Sequence, residues 1–512
     1  MPENRLPTIR ELLDTSPSRF GDRDFIRYVQ NGDVISRSFA DVKTDSHAAC
    51  CFLRSSLPDG AHIAVLCKSS YAYIVWLTGM LIGGFVAVPI PPETPTEEAA
   101  LIVADADCGA LFFDAGKEEK AEELRSLCPC VNETFAVSDG GLGELSRTYG
   151  EDSAFASLSD VTVDPEQAQV IIYTSGTTGE KKGVMLSGNA LVGNVVVEAY
   201  DDVANRTDVM LSVLPLSHVF CFVSDYIYPL LNGNTICLNG EMRDLFRNLK
   251  RFRPEQMRVV PTLAAAIIAR IKSVHLRHPE LSAEEAAAEV TGGKLKILFS
   301  GGAYLDPALC RAFDAYGIFL RQGYGMSEAG CKITVPDRQT PLESVGRLLN
   351  IVNVRIVNGE IQVDTPCRML GYYKKPELTA EAFTPDGWLK TGDLGYVTED
   401  RVLFITGRVK NLIILGNGEN VSPEAIEKRY LASDLVGEVL VYAENGAITA
   451  EVYPDPETTG GKTAEEQRCA LTDLTDALNR SAPPGHTVAK LRLRADPFPK
   501  TATGKVKRPN AL

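Results

Sequence analysis

Short runs of β-branched and aromatic residues alternate with longer helical stretches in the N-terminal part of the chain. A strand-like run at 62–67 is followed by a helical stretch at 71–82 and by a second strand-like run at 85–90. Parallel strands need crossover connections of about a dozen or more residues, usually helices, and are buried on both faces. The alternation therefore predicts an α/β fold in which helices cover two parallel sheets. The same pattern predicts a helix at 97–106 and strands at 110–113, 169–172, 209–214, 258–260 and 295–299.

The sequence pattern changes after about residue 340, where short strands and turn residues dominate. Two strand-like runs, 354–357 and 360–363, are separated by Asn358-Gly359. Asn-Gly is a strong signal for a two-residue hairpin. A β-rich subdomain is therefore expected at about 340–407.

The C-terminal stretch, 408–512, is expected to form a small α+β domain. Ser422-Pro423 is typical of a helix start, and a second helix is predicted at 463–479. The stretch 455–462, rich in threonine and glycine, is predicted to be a loop. Since 512 residues exceed what one hydrophobic core usually holds, we expect this domain to be separate from the core at 1–407.

The formal net charge of -15 disfavours non-specific binding to nucleic acid or to an anionic membrane. The most apolar stretch, 71–92, is near membrane-span length, but glycines and Pro89 interrupt it. A buried helix that runs into a buried strand explains this stretch better than a membrane span does. The N-terminus has no apolar core typical of a signal peptide, and the 12 cysteines show no paired zinc spacing. We therefore expect a soluble cytoplasmic protein with free thiols.

The most informative stretch, 173–184, reads YTSGTTGEKKGV and follows a predicted buried strand. Glycines allow backbone N–H groups to turn inward, hydroxyls add hydrogen-bond donors, and a lysine supplies a point charge. This combination suits a polyphosphate, although the stretch does not match the GxxxxGKS/T pattern of P-loop proteins. A polyphosphate site of another kind is therefore predicted here.

Six further motifs follow in order along the chain. Taken singly, each has an ordinary structural interpretation, such as a core histidine, a glycine turn, a helix cap, a turn aspartate or a basic tail. An aromatic face nevertheless suits a nucleotide base, and a carboxylate suits a hard cation or a ribose diol. The motifs are LPLSHVF at 214–220, SGGA at 300–303, QGYGMSE at 322–328, WLKTGD at 388–393, TGRVKN at 406–411 and PKTATGKVKR at 499–508.

With these residues in this order, the chain resembles the adenylate-forming superfamily. That superfamily includes acyl-CoA synthetases, the adenylation domains of peptide synthetases and firefly luciferase. The resemblance spans almost the whole chain. It departs from the usual residues at Lys181, where proline is usual, at Ser327, where threonine is commoner, and at Asn411, where aspartate is commoner.

The resemblance implies a role for each motif. Tyr324 is expected to stack on adenine, and Glu328 to hold Mg²⁺. Three residues are implied in catalysis: Lys505 in adenylation, Lys182 in the phosphate loop, and His218, which lines the acyl pocket and gates the thiol tunnel. The residues implied in binding the nucleotide are Thr174, Ser175, Gly176, Thr177, Thr178, Gly301, Gly302, Ala303, Gln322, Gly323, Tyr324, Gly325, Met326, Ser327, Asp393 and Arg408.

The implied reaction activates a carboxylic acid with ATP and passes the acyl group from AMP to a thiol. In the family, the small C-terminal domain turns about a hinge between the two steps, and Lys410 occupies the hinge position. The segment 416–421 is implied to help form the thiol tunnel in the second step. The resemblance thus divides the chain into an adenylation core, 1–407, and a mobile domain, 408–512, with the hinge near 408–411.

The acid and the thiol are less constrained by the sequence. Phe220 stands where peptide synthetase domains carry an aspartate for the α-amino group, so an α-amino acid is disfavoured, although Asp225 in the same helix can still face the pocket. Val219 and Phe222 are expected to line an acyl pocket for an apolar tail. The stretch GNGENVSP at 416–423 most resembles fatty and aryl acyl-CoA ligases, so a fatty or aryl acid is expected. CoA is the expected acceptor. The alternatives are a stand-alone ligase that loads the phosphopantetheine of a carrier protein, and a nucleotide-binding sensor without catalysis.

Overall fold

The computed structural model describes residues 5–149, 161–175, 181–198, 208–414, 420–444, 447–483, 485–499, 506 and 508. The chain divides into two compact units. The first consists of Met1–Asn353 and Asp364–Leu389, and the second of Val354–Val363 and Lys390–Leu512. The expected class is confirmed: an α/β part with two large sheets, a β-rich part and a small α+β part.

The first seven-stranded sheet has six parallel strands and an antiparallel edge strand among the described residues. Its parallel strands end at one edge, so Ser212, Ser300 and Gln322 lie at the same edge of the sheet. Crevices at such carboxyl edges are the usual ligand sites of open α/β sheets. In spatial order the strands are Phe319–Gln322, Ile297–Ser300, Gln256–Val259, Val209–Ser212, Thr235–Leu238, Asp24–Gln30 and Asp33–Ser38.

The second seven-stranded sheet has five parallel strands followed by two antiparallel ones. The predicted phosphate loop joins Ala168–Ser175 to the antiparallel strand Lys181–Ser187. The other edge of Lys181–Ser187 pairs with Gly371–Tyr372, which brings a distant part of the chain beside the loop. In spatial order the strands are Gly371–Tyr372, Lys181–Ser187, Ala168–Ser175, Val86–Pro89, His62–Leu66, Ala110–Asp114 and Glu133–Val137.

The helix Tyr71–Gly83 explains the most apolar stretch of the sequence, because all of its residues are buried. A helix that is apolar on every side belongs in a protein core or in a membrane. Here it packs on the helix Phe39–Ser56, and a Cβ atom at Gly79 would lie only 2.8 Å from the Ala49 Cβ. No helix among the described residues is both long and apolar enough to cross a membrane.

The remaining helices of the first unit alternate along the chain with the strands of its two sheets. A π-helical turn, Phe222–Ile227, joins two short helices into one segment. A small antiparallel pair, Thr334–Val335 with Arg347–Leu348, follows the first sheet. The helices are Ile9–Phe20, Thr96–Asp105, Glu118–Leu127, Leu142–Tyr149, Gly188–Glu198, Val219–Cys221, Tyr228–Asn232, Leu245–Phe252, Pro261–Arg277, Ala283–Thr291, Pro307–Asp314 and Pro376–Ala382.

The second unit contains a four-stranded sheet and a three-stranded sheet with helices. The four strands are Asn353–Val357, Glu360–Asp364, Leu389–Val397 and Leu403–Arg408. The three strands are Val436–Glu444, Ala447–Pro454 and Lys490–Leu493, and the last of these pairs in parallel. A short pair, Ile413–Ile414 with Asn420–Val421, precedes them. The helices of this unit are Pro423–Leu431, Pro456–Thr459 and Ala464–Arg480.

Most local expectations for this part are confirmed. Asn358 and Gly359 both have positive φ, 51° and 83°, as a two-residue hairpin turn requires. Ser422 and Thr463 cap the two predicted helices. The predicted loop at 455–462 is wrong in part, because it contains the helical turn Pro456–Thr459, which begins where the Asp455 carboxylate accepts N–H groups of the turn.

All 12 cysteines lie among the described residues, where none forms a disulfide and only Cys469 is exposed. Burial raises the pKa of the Cys67, Cys108 and Cys221 thiols well above the ordinary value, so these side chains stay protonated. Among the described residues there is no group of three or more histidine, cysteine or acidic side chains arranged to hold a metal ion. Most of the cysteines are therefore core residues of the fold.

Candidate active site

The phosphate loop connects two antiparallel strands of the second sheet. Thr174 lies opposite Lys182, and Ser175 lies opposite Lys181, at the ends of Ala168–Ser175 and Lys181–Ser187. The loop residues Gly176, Thr177 and Thr178 lie outside the described residues. The fold thus positions Thr174 and Lys182 side by side at the mouth of the loop, where the sequence predicts phosphate contacts.

Lys182 and Glu328, the predicted lysine and metal ligand, are linked by Tyr372. The Lys182 ammonium lies 5.1 Å from the centroid of the Tyr372 ring. The Tyr372 hydroxyl donates a hydrogen bond of 2.9 Å to Glu328 Oε1. Burial and the nearby Glu328 carboxylate raise the pKa of Tyr372, so its hydroxyl keeps the proton that it donates. A cation, a phenol and a carboxylate therefore form one chain of contacts beside the phosphate loop.

Tyr372 was not identified from the sequence. It reaches the site because Gly371–Tyr372 pairs antiparallel with Lys181–Ser187, with Tyr372 opposite Val184. Its backbone N–H is held by Thr379 Oγ1 at 2.9 Å. Gly371-Tyr372-Tyr373 follows a turn and carries no sequence signal that separates a site tyrosine from a core tyrosine.

Lys181, which stands where proline is usual, has a different environment from Lys182. Its ammonium forms an ion pair with Glu98, and its backbone carbonyl accepts a hydrogen bond of 3.1 Å from the Lys375 ammonium. The side chains of neighbouring strand residues point to opposite faces of a sheet. The charge of Lys181 is thus paired with a carboxylate of the same unit, and Lys182 is the lysine on the side of Tyr372.

The two predicted adenine-contacting stretches meet at the carboxyl edge of the first sheet. Ser300 and Gln322 are register partners, and the Gly323 N–H donates to the Ser300 carbonyl at 2.9 Å. The next residues, Gly301 to Ala303 and Tyr324 to Ser327, therefore leave the sheet side by side. A Cβ atom at Gly325 would lie 1.7 Å from the Cys331 carbonyl oxygen, so glycine is required in this loop.

The Gln322–Ser327 loop is held by hydrogen bonds at both ends. The Leu305 N–H donates to Gln322 Oε1, and the Tyr324 N–H donates to Thr334 Oγ1, both at 2.9 Å. Ser327 begins a single 3₁₀ turn, Ser327–Ala329, which places Glu328 toward Tyr372. Met326 precedes this turn with extended backbone. The loop is therefore a fixed platform for the residues that it presents.

The predicted acyl-pocket segment lies against the adenine turn. A Cβ atom at Gly301 would come within 3.2 Å of the Phe220 ring, so a larger residue there would displace the ring. His218 precedes the helix Val219–Cys221, and burial lowers the pKa of its imidazole, which keeps the ring neutral at neutral pH. Phe222 is fully buried, with its ring 6.0 Å from that of Tyr226.

In the second unit, Asp393 and Arg408 lie opposite each other on adjacent strands and form an ion pair. Asp393 is almost fully buried, whereas Arg408 is partly exposed. Lys410 lies in the 3₁₀ turn Val409–Asn411 that follows. The ribose and hinge roles of these residues stay predictions.

Lys505 and the tunnel residues 416–419 lie outside the described residues, as does most of the segment around Lys505. Arg508, three residues further on, is anchored by an ion pair of 2.6 Å to Glu427 and by a hydrogen bond of 2.9 Å to the Val441 carbonyl. The C-terminal end of the predicted catalytic segment is thus attached to the second unit.

The residues present suit a Mg²⁺ ion bound together with a nucleotide. Mg²⁺ is usually held by one or two carboxylates plus substrate phosphates, not by an all-protein cage. Glu328 supplies one carboxylate, one oxygen of which is occupied by Tyr372. A carboxylate with one oxygen left beside the phosphate loop fits that mode of binding.

The sequence matches the AMP-binding enzyme family over residues 13–373 and the AMP-binding enzyme C-terminal domain over residues 410–512. Long-chain-fatty-acid–CoA ligase 1 of Homo sapiens is 28% identical over 489 residues, covering 81% of this chain and 70% of that one. Sulfoacetate–CoA ligase of Cupriavidus necator is 27% identical over 447 residues, covering 83% of this chain and 82% of that one.

Solved structures share the fold over nearly the whole chain. The anthranilate CoA ligase AuaEII, solved with anthranoyl-AMP, superposes with a TM-score of 0.81 at 18% identity and covers 98% of this chain and 96% of its own. ATP-bound MatB from Rhodopseudomonas palustris superposes with a TM-score of 0.80 at 24% identity and covers 98% of this chain and 97% of its own. The chain therefore belongs to the family of AMP-binding enzymes, as an acyl-CoA synthetase-like ligase.

Proposed function

We propose that this protein activates a carboxylic acid with ATP as an acyl-adenylate and transfers the acyl group to the thiol of CoA. The observation that carries the proposal is the contact chain from Lys182 through Tyr372 to Glu328 beside the phosphate loop. These contacts connect the Lys182 ammonium to the Glu328 carboxylate, the proposed metal ligand, in a protein that belongs to the AMP-binding enzymes.

In the first step a carboxylate oxygen attacks the α-phosphorus of ATP, and the bond to the β-phosphate oxygen breaks. Pyrophosphate leaves with that electron pair, and the acid becomes an ester of AMP. Negative charge spreads over the phosphoryl oxygens in the transition state. Lys182 and Lys505 stabilise this charge electrostatically, and one such group typically contributes about 3 kcal/mol. Mg²⁺ held by Glu328 would supply further positive charge beside the phosphates.

In the second step the thiol sulfur attacks the acyl carbon, and AMP leaves. The neutral His218 beside the acyl segment is suited to accept a hydrogen bond from the incoming thiol. Rotation of the C-terminal domain about Lys410 would withdraw Lys505 and bring residues 416–421 to the site. Domain motion of this kind assembles one site for two reactions in turn.

A fatty or aryl acid is the proposed substrate class. Relatives named for long-chain fatty acids and a structural neighbour named for anthranilate support it. CoA is the proposed acceptor, because the similar curated proteins are named CoA ligases. A carrier protein with a phosphopantetheine arm carries the same thiol and is the second candidate acceptor.

The test is ATP–pyrophosphate exchange with a panel of fatty, aryl and amino acids, followed by addition of CoA. We expect exchange with fatty or aryl acids and acyl-CoA after addition of CoA. If exchange occurs and no acyl-CoA forms, but a phosphopantetheinylated carrier protein is acylated, the acceptor is the carrier protein and not CoA. Protein that binds ATP yet exchanges with no acid would contradict the proposal and favour the sensor alternative.

A further inference from the structure

A buried polar cluster lies at the carboxyl edge of the first sheet. It consists of Ser224, Asp225, Arg258 and Ser300, each of which is at most 1% exposed. Ser224 and Asp225 belong to the π-helical turn Phe222–Ile227, whereas Arg258 and Ser300 lie in neighbouring parallel strands. π-helical turns inside helices occur often at functional sites. The two-step reaction described above uses none of these side chains.

The polar atoms of this cluster are not satisfied by the described part of the chain. Both carboxylate oxygens of Asp225, Nη2 of Arg258 and the hydroxyls of Ser224 and Ser300 form no hydrogen bond of ordinary geometry there. The buried Ser212 hydroxyl, which is likewise unpaired, is the only neighbouring hydroxyl close enough among the described residues to lower the pKa of Asp225. Arg258 Nε lies 3.8 Å from Asp225 Oδ1, which is too long for a hydrogen bond. Leaving one buried polar group unpaired costs about 1–3 kcal/mol. The cluster therefore requires a polar partner that these residues do not supply.

Arg258 is fixed in place although one of its nitrogens is unpaired. Its Nη1 donates to Gln256 Oε1 at 2.6 Å, and its guanidinium carbon lies 5.4 Å and 5.3 Å from the rings of Tyr228 and Phe299. Burial raises the pKa of Asp225 to about 6, although the positive charges of Arg258 and Lys332 lower it. At neutral pH the cluster thus presents a carboxylate and a guanidinium that form a buried ion pair but are not hydrogen-bonded to each other.

The partner must donate to Asp225 and accept from Arg258. An ammonium group has no acceptor for the guanidinium, and a carboxylate has no donor for Asp225. A hydroxyl has both, and its oxygen can lie about 2.8 Å from each of two atoms that are 3.8 Å apart. The hydroxyls of Ser224 and Ser300 can donate to or accept from the same group.

The position of the cluster connects it to the acid rather than to the nucleotide. Ser300 directly precedes Gly301, where an added Cβ atom would lie 3.2 Å from the Phe220 ring in the predicted acyl segment. Ser224 and Asp225 follow Phe220 by one helical turn in the same segment. A substrate that extends from the adenylate past Phe220 would therefore bring its tail toward the cluster.

We propose that this cluster binds a hydroxyl group on the tail of the acid, so that the enzyme selects hydroxylated aliphatic or aryl acids over unsubstituted ones. The proposal rests on the proposed function, since it names the substrate class of the same site. Sites built to hydrogen-bond a substrate hydroxyl reject the analogue that lacks it by large factors, because their buried polar groups are then left unpaired.

The experiment is ATP–pyrophosphate exchange with matched acids. Short, medium and long straight-chain acids and phenylpropanoate-type aryl acids are each supplied unsubstituted and with a terminal hydroxyl, amino or carboxyl group. We expect kcat/KM to be about a hundredfold or more higher for the hydroxylated member of at least one series. A ratio near one in every series, or preference for the amino or carboxyl member, would overturn the proposal.

Two variants separate a substrate role from a structural one. The double change Asp225→Leu with Arg258→Met replaces a buried ion pair by apolar groups, a change that is often neutral or stabilising. It should abolish the preference for the hydroxylated acid, whereas an unchanged ratio would refute the proposal. The control is Asn248→Ala, which removes a buried hydrogen bond to Asn239 in the same unit and should leave the ratio unchanged.

The outcomes also distinguish this proposal from the proposed function. Exchange that is equal for hydroxylated and unsubstituted acids means that the cluster holds water only, and the acid ligase remains. Loss of exchange with every acid of the panel, in protein that still binds ATP, refutes the acid ligase itself and with it the subsite.

Discussion

Replacing Tyr372 by phenylalanine tests the contact chain that carries the proposed function. The change removes one hydroxyl and keeps the ring that lies 5.1 Å from the Lys182 ammonium. What is lost is the hydrogen bond of 2.9 Å that holds Glu328 Oε1. Glu328 would then occupy the position that we propose for binding Mg²⁺ only part of the time.

A hydrogen bond to a charged group contributes about 1.5–3 kcal/mol, which corresponds to roughly 10–150-fold in kcat/KM. Because Glu328 is only half-buried, we expect the lower end, about tenfold. The assay is ATP–pyrophosphate exchange at a series of Mg²⁺ concentrations. A positioning role predicts that more Mg²⁺ is needed for the half-maximal rate, a readout that a purely structural tyrosine would not change.

The neighbouring Tyr373 provides a matched control. Its hydroxyl also donates to a carboxylate, Asp107 Oδ2, at 2.9 Å, but that carboxylate is exposed and has no predicted role. Tyr373→Phe should leave both the rate and the Mg²⁺ dependence unchanged. Equal rate and equal Mg²⁺ dependence in Tyr372→Phe and the parent protein would exclude a role of the Tyr372 hydroxyl in positioning Glu328.

Four further predictions follow from particular side chains. Lys182→Met should lower the exchange rate by about a hundredfold or more. Lys181→Met, which removes a half-exposed ion pair with Glu98, should change the exchange rate by less than about threefold. Equal losses in the two variants would contradict Lys182 as the lysine that contacts the phosphates. Lys505→Ala should abolish adenylate formation without lowering the melting temperature, and an unchanged single-turnover rate would exclude its role. Gly325→Ala should lower both the melting temperature and the exchange rate, because its Cβ atom would lie 1.7 Å from the Cys331 carbonyl oxygen. An unchanged melting temperature would show that the Gln322–Ser327 loop is not packed against Cys331 in this way. Burial raises the pKa of Asp225 from 3.8 to about 6, so between these pH values the folded state binds a proton that the unfolded chain has released. The free energy of unfolding, measured relative to Asp225→Asn, should therefore fall by up to about 3 kcal/mol as the pH rises from about 4 to 6. A difference that does not depend on pH would contradict the burial of this carboxyl group.

The fold was predictable where a local pattern decides the structure. The apolar stretch that begins at Tyr71 reads as a buried helix because glycines interrupt it, and it forms Tyr71–Gly83. Asn358-Gly359 specifies a hairpin because both residues adopt positive φ readily. The turn at Pro456–Thr459 was missed, since one aspartate cap in a run of threonine and glycine does not distinguish a helical turn from a loop.

The site was predictable only as separate stretches of sequence. The sequence does not predict a site role for Tyr372, because its contact with Glu328 spans 44 positions and depends on the pairing of an edge strand. The Asp225–Arg258 pair depends likewise on how a helix packs on a strand, and no spacing rule in one sequence predicts that. The roles of Asp393, Arg408, Lys410 and Lys505 rest on the family resemblance and remain predictions.

Activation of the acid by attack on the α-phosphate of ATP can be followed with an isotope. The acid is supplied with a heavy-oxygen label in its carboxylate, and the products are analysed after complete turnover with CoA. Attack at the α-phosphorus leaves one labelled oxygen on AMP when the thiol displaces it. We expect label in AMP and none in pyrophosphate. Label in inorganic phosphate together with ADP would mean activation as an acyl phosphate and would exclude attack at the α-phosphorus.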